Sequence, residues 1–258
     1  MNTNQKTQQQ EKTALSRRLA LLADFLPELT SLADIGTDHA GLLAALVKSG
    51  KIQKGIGVEV VEGPYRRALA NVEALGLTGS IEIRKGDGLK PLVPGEVMAA
   101  AIAGMGGGTI LEILAGSPAV VASLSYLLLQ PMTQAGQVRV YLQEQGWQIV
   151  KEAILEERGI LYQIILAQPG VMKPLSSLEA QYGPLLLAEN PPLLAVAVQQ
   201  RLEGLRRVLG QLSKSDSPLS HEKKLRCQEQ IKEGEALLQC LIPAEKSVNE
   251  SMNTPRLI

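Results

Sequence analysis

Cysteine, histidine and aromatic rings are scarce in this 258-residue chain. Its only cysteines are Cys227 and Cys240. If one helix carries both, thirteen residues set them roughly 20 Å apart at about 1.5 Å of rise per residue. A disulfide needs Cα atoms within about 7 Å, so that placement excludes an internal bridge. With only His39 and His221 beside them, a zinc cluster lacks donors, and no metal site is expected. No charge sign dominates either, because 26 basic residues balance 26 acidic ones. That balance argues against a protein that coats nucleic acid without selectivity, while leaving room for a local basic surface. No run of about 18 apolar residues occurs, so no membrane span is expected. The opening MNTNQKTQQQEKT lacks the apolar centre of a secretion signal, so a disordered tail (1–12) and a cytoplasmic protein are expected.

What is present is an alternation. An apolar content of 45% supports a packed core. From residue 31 to about 130, β-rich runs alternate with helical patterns: "SLADI", "GIGVEV", "SIEIRKGD", "VMAAAIAG" and "SYLLLQPM" are the strands. Gly50 and Gly76 stand where helices should stop, and Pro64 where one should start. This order predicts a parallel sheet covered by helices on both faces. The stretch 147–170 then holds two strands with no room for a helix between them, so "EERG" is a hairpin turn and the last strand runs antiparallel. From about 174 the chain reads as helix. Val198, Leu202, Leu205, Leu209 and Leu212 alternate spacings of four and three, and Cys227, Ile231, Gly234, Leu238 and Leu241 repeat them. Two heptad seams separated by Ser217-Pro218, a cap and first helical residue, predict an antiparallel helical hairpin. The expected domains are 13–172 for the sheet and 173–243 for the hairpin, with a tail over 244–258.

Two glycine-rich turns compete for a nucleotide. "IAGMGGGTI" resembles a dinucleotide fingerprint, but Thr109 replaces its third glycine and the next strand ends in Gln130-Pro131, without the acid that would hold a ribose. The turn after "SLADI" is better supplied. Glu59 ends the next strand, placed to accept from ribose hydroxyls, and Asp87 ends the third, placed to accept from an adenine amino group. Each acid alone reads as a surface residue; three at the ends of successive strands mark the crevice where open α/β sheets bind ligands. A pyrophosphate on this turn would face Asp34 and Asp38, and like charges about 4 Å apart repel by roughly 4 kcal/mol at an effective dielectric near 20. A ligand carrying an ammonium and a sulfonium would be attracted, which points to S-adenosylmethionine. The alternative for the two aspartates is turn formation and N-capping, and for His39 a satisfied turn residue.

"DIGTDHAGL", "GVEVVEGPYRRALANVEALGL", "RKGDGL" and "IAGMGGGTILEIL", in that order, resemble the bacterial tRNA (adenine-N1)-methyltransferases that modify adenine 22 of tRNA. "LSRRL", "LLLQPM", "ERGILYQIIL" and "YGPLLLAENPPLL" extend the resemblance over nearly everything from 15 to 241. Gly41 and Met132 depart from it, standing where members often carry a bulky residue and an asparagine. The resemblance implies a class I methyltransferase (Rossmann-like) fold with a C-terminal coiled-coil hairpin, S-adenosylmethionine as donor and tRNA as acceptor. It assigns Asp34, Gly36, Asp38 and His39 to the first cofactor motif, Glu59 to the ribose, and Gly86, Asp87 and Gly88 to the adenine. Gly104 to Gly107 follow the fourth strand, with Gly104 beside the cofactor and Gly106 and Gly107 beside the acceptor base.

The expected reaction is methylation of adenine N1, with Asp38 as the carboxylate that stabilises the cationic product. Tyr65, Tyr162 and Tyr182 are candidates for stacking on an extruded base, with core or rim packing as the alternative for each. Residues 201–226 hold seven Lys or Arg against three acids, so Arg206 and Arg207 are expected to meet tRNA phosphates. The rivals are a methyltransferase for a small molecule or protein, a tRNA-binding protein without catalysis, and an NAD-linked oxidoreductase.

Overall fold

In the computed structural model, which describes residues 15–212 and 218–241, the uninterrupted apolar runs become the central strands of one sheet. Its strands are β1 (Ser31–Ile35), β2 (Lys54–Glu59), β3 (Ile81–Lys85), β4 (Ala99–Gly106), β5 (Tyr126–Thr133), β6 (Trp147–Glu157) and β7 (Ile160–Pro169). The order across the sheet is β3-β2-β1-β4-β5-β7-β6. The first five run parallel, whereas β7 pairs antiparallel with both β5 and β6. The expected hairpin is therefore present, and its second strand lies inside the first. From β1 the sheet grows towards β3 on one side and through β4 on the other. The carboxyl ends of β1 and β4 consequently open at the switch point where such sheets bind ligands.

Helices cover both faces. On one face pack α1 (Arg17–Phe25), α2 (Gly41–Lys48) and α3 (Glu62–Ala74), contributing Leu22, Phe25, Leu43, Leu46 and Val72 to the core. On the other lie α4 (Gly107–Ala115), α5 (Pro118–Ala122) and α6 (Ala135–Glu144), contributing Ile110, Leu114, Val121, Val138 and Leu142. Gly50 and Gly76 take the left-handed conformation just past α2 and α3, a position that costs a glycine little. Pro64 falls in the first turn of α3.

The chain divides into two compact units between Leu193 and Leu194. The change of pattern at 172/173 therefore does not coincide with the division between the units. The short helices α7 (Ser177–Tyr182) and α8 (Pro184–Glu189) are fastened to the sheet. Arg139 of α6, fully buried, donates Nε to Glu152 of β6 at 2.7 Å and Nη2 to Gln163 of β7 at 2.8 Å. Its Nη1 donates to the carbonyl oxygens of Ala180 and Gln181, and the other Glu152 oxygen accepts from the Leu185 N–H. Removing one partner of such a buried pair costs about 3–5 kcal/mol, because the other is left uncompensated. A helical pattern alone does not show which neighbour a helix packs against, and this polar staple is not visible in it.

The second unit takes in α9 (Pro192–Leu212) from Leu194 onward and α10 (Pro218–Leu241). All ten seam positions named from the sequence are buried or half-buried, while Glu203, Arg206, Arg207 and Gly210 are exposed. Arg206 donates to Glu235 at 2.7 Å, and the Cys227 thiol donates to the Leu205 carbonyl at 3.2 Å. Cys227 and Cys240 both sit on α10. The expected cap Ser217 and the two tails lie outside the described residues. Among the described residues no helix is long and apolar enough to cross a membrane.

Candidate cofactor and acceptor site

The turn after β1 is held from below by its neighbour strand, since the N–H groups of Gly36 and Thr37 both donate to the Val58 carbonyl. Gly36 has φ +73, a left-handed conformation that favours glycine, and a Cβ there would lie 2.5 Å from Met105 Cε and push that side-chain tip aside. Asp34 is buried beneath the turn and accepts from Thr37 Oγ1 at 2.7 Å. Burial pushes its carboxyl up to about 6; the Thr37 hydrogen bond opposes this, nearby Glu59 adds to it and Arg18 opposes it. Glu59, also buried, accepts the Asp38 N–H on Oε1 at 2.7 Å. Among the described residues its second oxygen has no hydrogen-bond partner.

Asp38 has φ +51 and an exposed side chain, with Arg67 Nη2 at 3.2 Å and His39 Nε2 at 3.6 Å. It does not cap α2, whose N-cap is Ala40 with no side-chain hydrogen bond. His39 is exposed, and its carbonyl accepts from Asn71 at 2.6 Å.

The loop after β3 completes a cleft of about 400 Å³ whose wall includes Gly36, Glu59, Gly86, Asp87, Gly88 and Met105. The Gly86 N–H donates to the Glu59 carbonyl, a Cβ on Gly86 would collide with Pro91, and Gly88 has φ +57. Lys90 on the same wall is paired with Asp87 at 2.6 Å. Five of the residues expected to hold a cofactor are thus brought together. Asp34, Asp38, His39 and Gly104 are not on that wall. A largely apolar wall that carries the Glu59 and Asp87 carboxylates, with its one lysine already paired, suits a cationic nucleoside better than a pyrophosphate. The residues present fit S-adenosylmethionine.

The second turn, after β4, is built differently. Gly104 has φ +75, and its N–H donates to Gln130 Oε1 at 3.1 Å. The Gly108 N–H donates to Gln134 Oε1 at 3.0 Å. A Cβ on Gly107 would stand 2.6 Å from the Thr133 carbonyl oxygen, and one on Gly106 would stand 3.3 Å from Thr133 Oγ1. These glycines let β4 and β5 end side by side, with the side chains of Arg18, Thr133 and Gln134 close against them. Gln130 is fully buried and also accepts from Arg18 Nη1 at 3.0 Å. Sequence reasoning missed Arg18, Gln130 and Gln134; a lone glutamine closing the apolar run "LLLQP" was the available signal. Of the stacking candidates, Tyr182 is buried, whereas Tyr162 is half-buried with Arg18 over its ring. In the second unit, Arg206 is paired with Glu235, and Arg207 reaches the Glu203 carbonyl at 3.4 Å.

A 3-2-1-4-5-7-6 sheet with one antiparallel strand, and an acid-rimmed cleft over its switch point, defines a class I, Rossmann-like methyltransferase. The chain belongs to the tRNA (adenine(22)-N(1))-methyltransferase family, whose model matches residues 32–236. It is 33% identical to the tRNA (adenine(22)-N(1))-methyltransferase of Bacillus subtilis over 82% of this chain and 91% of that one. A Streptococcus pneumoniae protein solved in complex with S-adenosyl-L-methionine is similar at TM-score 0.79 and 37% identity, covering 87% of this chain and 100% of that one. TrmK of M. capricolum, solved with S-adenosyl-homocysteine, is similar at TM-score 0.76 and 26% identity, covering 88% and 99%.

Proposed function

We propose that the protein transfers a methyl group from S-adenosylmethionine to N1 of adenine 22 in tRNA, in the cytoplasm. The observation that carries this reading is Glu59, buried, fixed by the Asp38 N–H and, among the described residues, left with one unpartnered oxygen on the wall of a cleft that Gly36, Gly86 and Gly88 help to line. That oxygen is proposed to accept from ribose hydroxyls. Asp87 accepts from the adenine amino group, Gly36, Gly86 and Gly88 leave room for the nucleoside, and Asp34 with His39 faces the methionine end. Bound S-adenosylmethionine supplies an electrophilic methyl group.

The ring nitrogen N1 of the acceptor has its lone pair free at neutral pH, so no side chain has to remove a proton first. The protein's task is placement, which supplies roughly 7–11 kcal/mol in well-oriented reactions. Gly104, Gly106 and Gly107 admit the base edge, which an adenine in folded RNA exposes only after extrusion. Methylation makes the base cationic, and Asp38 is proposed to offset that charge, exchanging its surface contact with Arg67 at little cost. The seams of α9 and α10 are proposed to form a coiled-coil hairpin that presents Arg206, Arg207 and neighbouring bases to tRNA phosphates.

The test is incubation of the full chain with labelled S-adenosylmethionine and unmodified tRNA, followed by mapping of the product. Label at N1 of adenine 22 is expected. Label on a different nucleotide would revise the position, and cofactor binding with no transfer to tRNA would overturn the reading. Arg206→Ala with Arg207→Ala should flatten the salt dependence of tRNA binding, because each phosphate contact contributes roughly 0.7–0.9 to the slope.

A further inference from the structure

Four arginines of the sheet unit, Arg66, Arg67, Arg84 and Arg139, each meet a carboxylate. Arg18 of α1 is held differently. Its Nη1 donates to the neutral carboxamide of Gln130 at 3.0 Å, and its guanidinium lies over the Tyr162 ring, 5.5 Å from the centroid. The same Gln130 oxygen accepts the Gly104 N–H, so one buried amide fixes both the guanidinium and the second glycine turn. The place where a Cβ would stand on Gly104 is 3.6 Å from Nη1. The charge therefore sits on the lip of the glycine turn, one residue from Met105 on the cofactor cleft. The Arg18 backbone N–H donates to Glu157 at 3.3 Å, which ties this end of α1 to the β6–β7 hairpin. Asp34 feels the charge without bonding to it.

Among the described residues, Nε and Nη2 of Arg18 have no hydrogen-bond partner, and the side chain is half-exposed. An amide and an aromatic ring hold the group in place without neutralising it. A guanidinium anchored by one nitrogen, with its Nε–Nη2 edge open, has the planar fork that takes two phosphate oxygens. An extruded nucleotide brings its flanking phosphates with it, and the base and the phosphate would then be received side by side, by the glycine turn and by Arg18.

We infer that Arg18 is a substrate-binding residue that clamps a phosphodiester flanking the extruded adenosine. The inference rests on the tRNA-methylating reading above. It is tested with the full chain as wild type, Arg18→Ala, Arg18→Lys and Gln130→Glu, measuring tRNA KM and kcat, the salt dependence of tRNA binding and S-adenosylmethionine affinity. Arg18→Ala should raise the tRNA KM about 10- to 100-fold, the scale of a charge-assisted hydrogen bond. It should also flatten the salt slope by roughly 0.7–0.9, one phosphate contact, with cofactor affinity unchanged. Arg18→Lys should keep the slope while losing part of the affinity, since a lysine is a point charge without the fork.

Gln130→Glu keeps an oxygen for both donors but neutralises Arg18. It should reproduce the flattened slope, and it carries the test if Arg18→Ala does not fold. An unchanged slope in both Arg18→Ala and Gln130→Glu would overturn the inference, even if kcat fell, because that pattern fits stacking on the base. A parallel loss of cofactor affinity would overturn it too, making Arg18 part of the cofactor site. A wild type that binds cofactor and methylates no tRNA would remove the proposed function and this inference with it. A wild type that methylates tRNA with an indifferent Arg18 would remove the inference alone.

Discussion

The two glycine-rich turns leave the same edge of the sheet, from neighbouring parallel strands, yet they are fastened with opposite chemistry. After β1 the acceptors are carboxylates: Asp34 takes the Thr37 hydroxyl and Glu59 takes the Asp38 N–H. After β4 they are carboxamides: Gln130 takes the Gly104 N–H and Gln134 takes the Gly108 N–H, with Arg18 alongside. Tight turns leave backbone N–H groups that must find acceptors, and either kind of side chain serves that purpose. The choice sets the local field. Carboxylates make the first turn negative, whereas amides leave the second neutral and let Arg18 make it positive. In the reaction proposed, a cationic cofactor and a polyanionic acceptor meet at these two turns without exchanging places.

The comparison breaks most readily at Glu59. Glu59→Ala removes the acceptor of the Asp38 N–H together with the oxygen offered to the ribose. Cofactor affinity should fall by about 1.5–3 kcal/mol, the range for hydrogen bonds to a charged group. Calorimetry with S-adenosylmethionine checks this. An unchanged affinity would mean that Glu59 only braces the turn.

Asp34 gives the next largest effect, and it acts on stability as well as binding. Its carboxyl stands at about 6 in the folded chain against an ordinary 3.8. A raised folded-state value means that this group favours folding fully below pH 3.8, and that the benefit is lost as pH rises through about 6. Above that pH the ionised, buried carboxylate opposes folding by on the order of 2–3 kcal/mol, at about 1.4 kcal/mol per pKa unit. Asp34→Asn should therefore stabilise the cofactor-free protein at pH 8, with the gain vanishing near pH 4, while weakening S-adenosylmethionine binding. Urea unfolding at the two pH values tests the sign, and equal gains at both would show that Asp34 carries no buried charge. In the wild type, cofactor affinity should decline as pH falls through about 6, as the carboxylate is protonated.

How much of this was legible beforehand divides along the same line. Glu59 and Asp87 stand at the ends of neighbouring parallel strands, and strand ends follow from the β/α alternation alone, so their meeting in one cleft was legible in the sequence, whereas Asp34, expected beside them, is buried off that wall. The hairpin of β6 and β7 was equally plain, since four residues cannot hold a helix. The second turn was not legible in this way. Arg18 reaches Gln130 across 112 positions of sequence, and no local pattern encodes that meeting. Gln130 counted in the sequence only as a missing carboxylate. Arg139 was hidden for a related reason, because a charged residue between apolar helix positions reads as solvated until Glu152 and the 180–185 backbone are seen to surround it.

Asp38 lies at the boundary between the two turns and should show a smaller, kinetic effect. Its backbone serves Glu59, while its exposed carboxylate meets Arg67 and His39. Asp38→Ala preserves the N–H and removes only the carboxylate. If that group offsets charge on the product base, kcat should drop about tenfold, near 1.4 kcal/mol, with cofactor affinity nearly unchanged. Equal losses in both would assign it to the methionine ammonium, and a wild-type rate would leave it as a surface partner of Arg67.

The smallest effect belongs to Gln134, and it separates bracing from binding. Gln134 is exposed, has φ +55 and accepts the Gly108 N–H at 3.0 Å. Gly108 is at the surface end of α4, where water can replace a lost acceptor, so Gln134→Ala should cost only about 0.5–1 kcal/mol of stability. The first turn loses cofactor affinity when its acceptor is removed, because Glu59 has a second oxygen to offer. Gln134 has no equivalent role in the cleft, so S-adenosylmethionine affinity should be unaffected. Thermal melts and calorimetry on Gln134→Ala measure the two quantities separately. A loss of cofactor affinity as large as that of Glu59→Ala would mean that the two turns form one binding surface, and the division between an anionic cofactor turn and an amide-braced, Arg18-bearing acceptor turn would have to be given up.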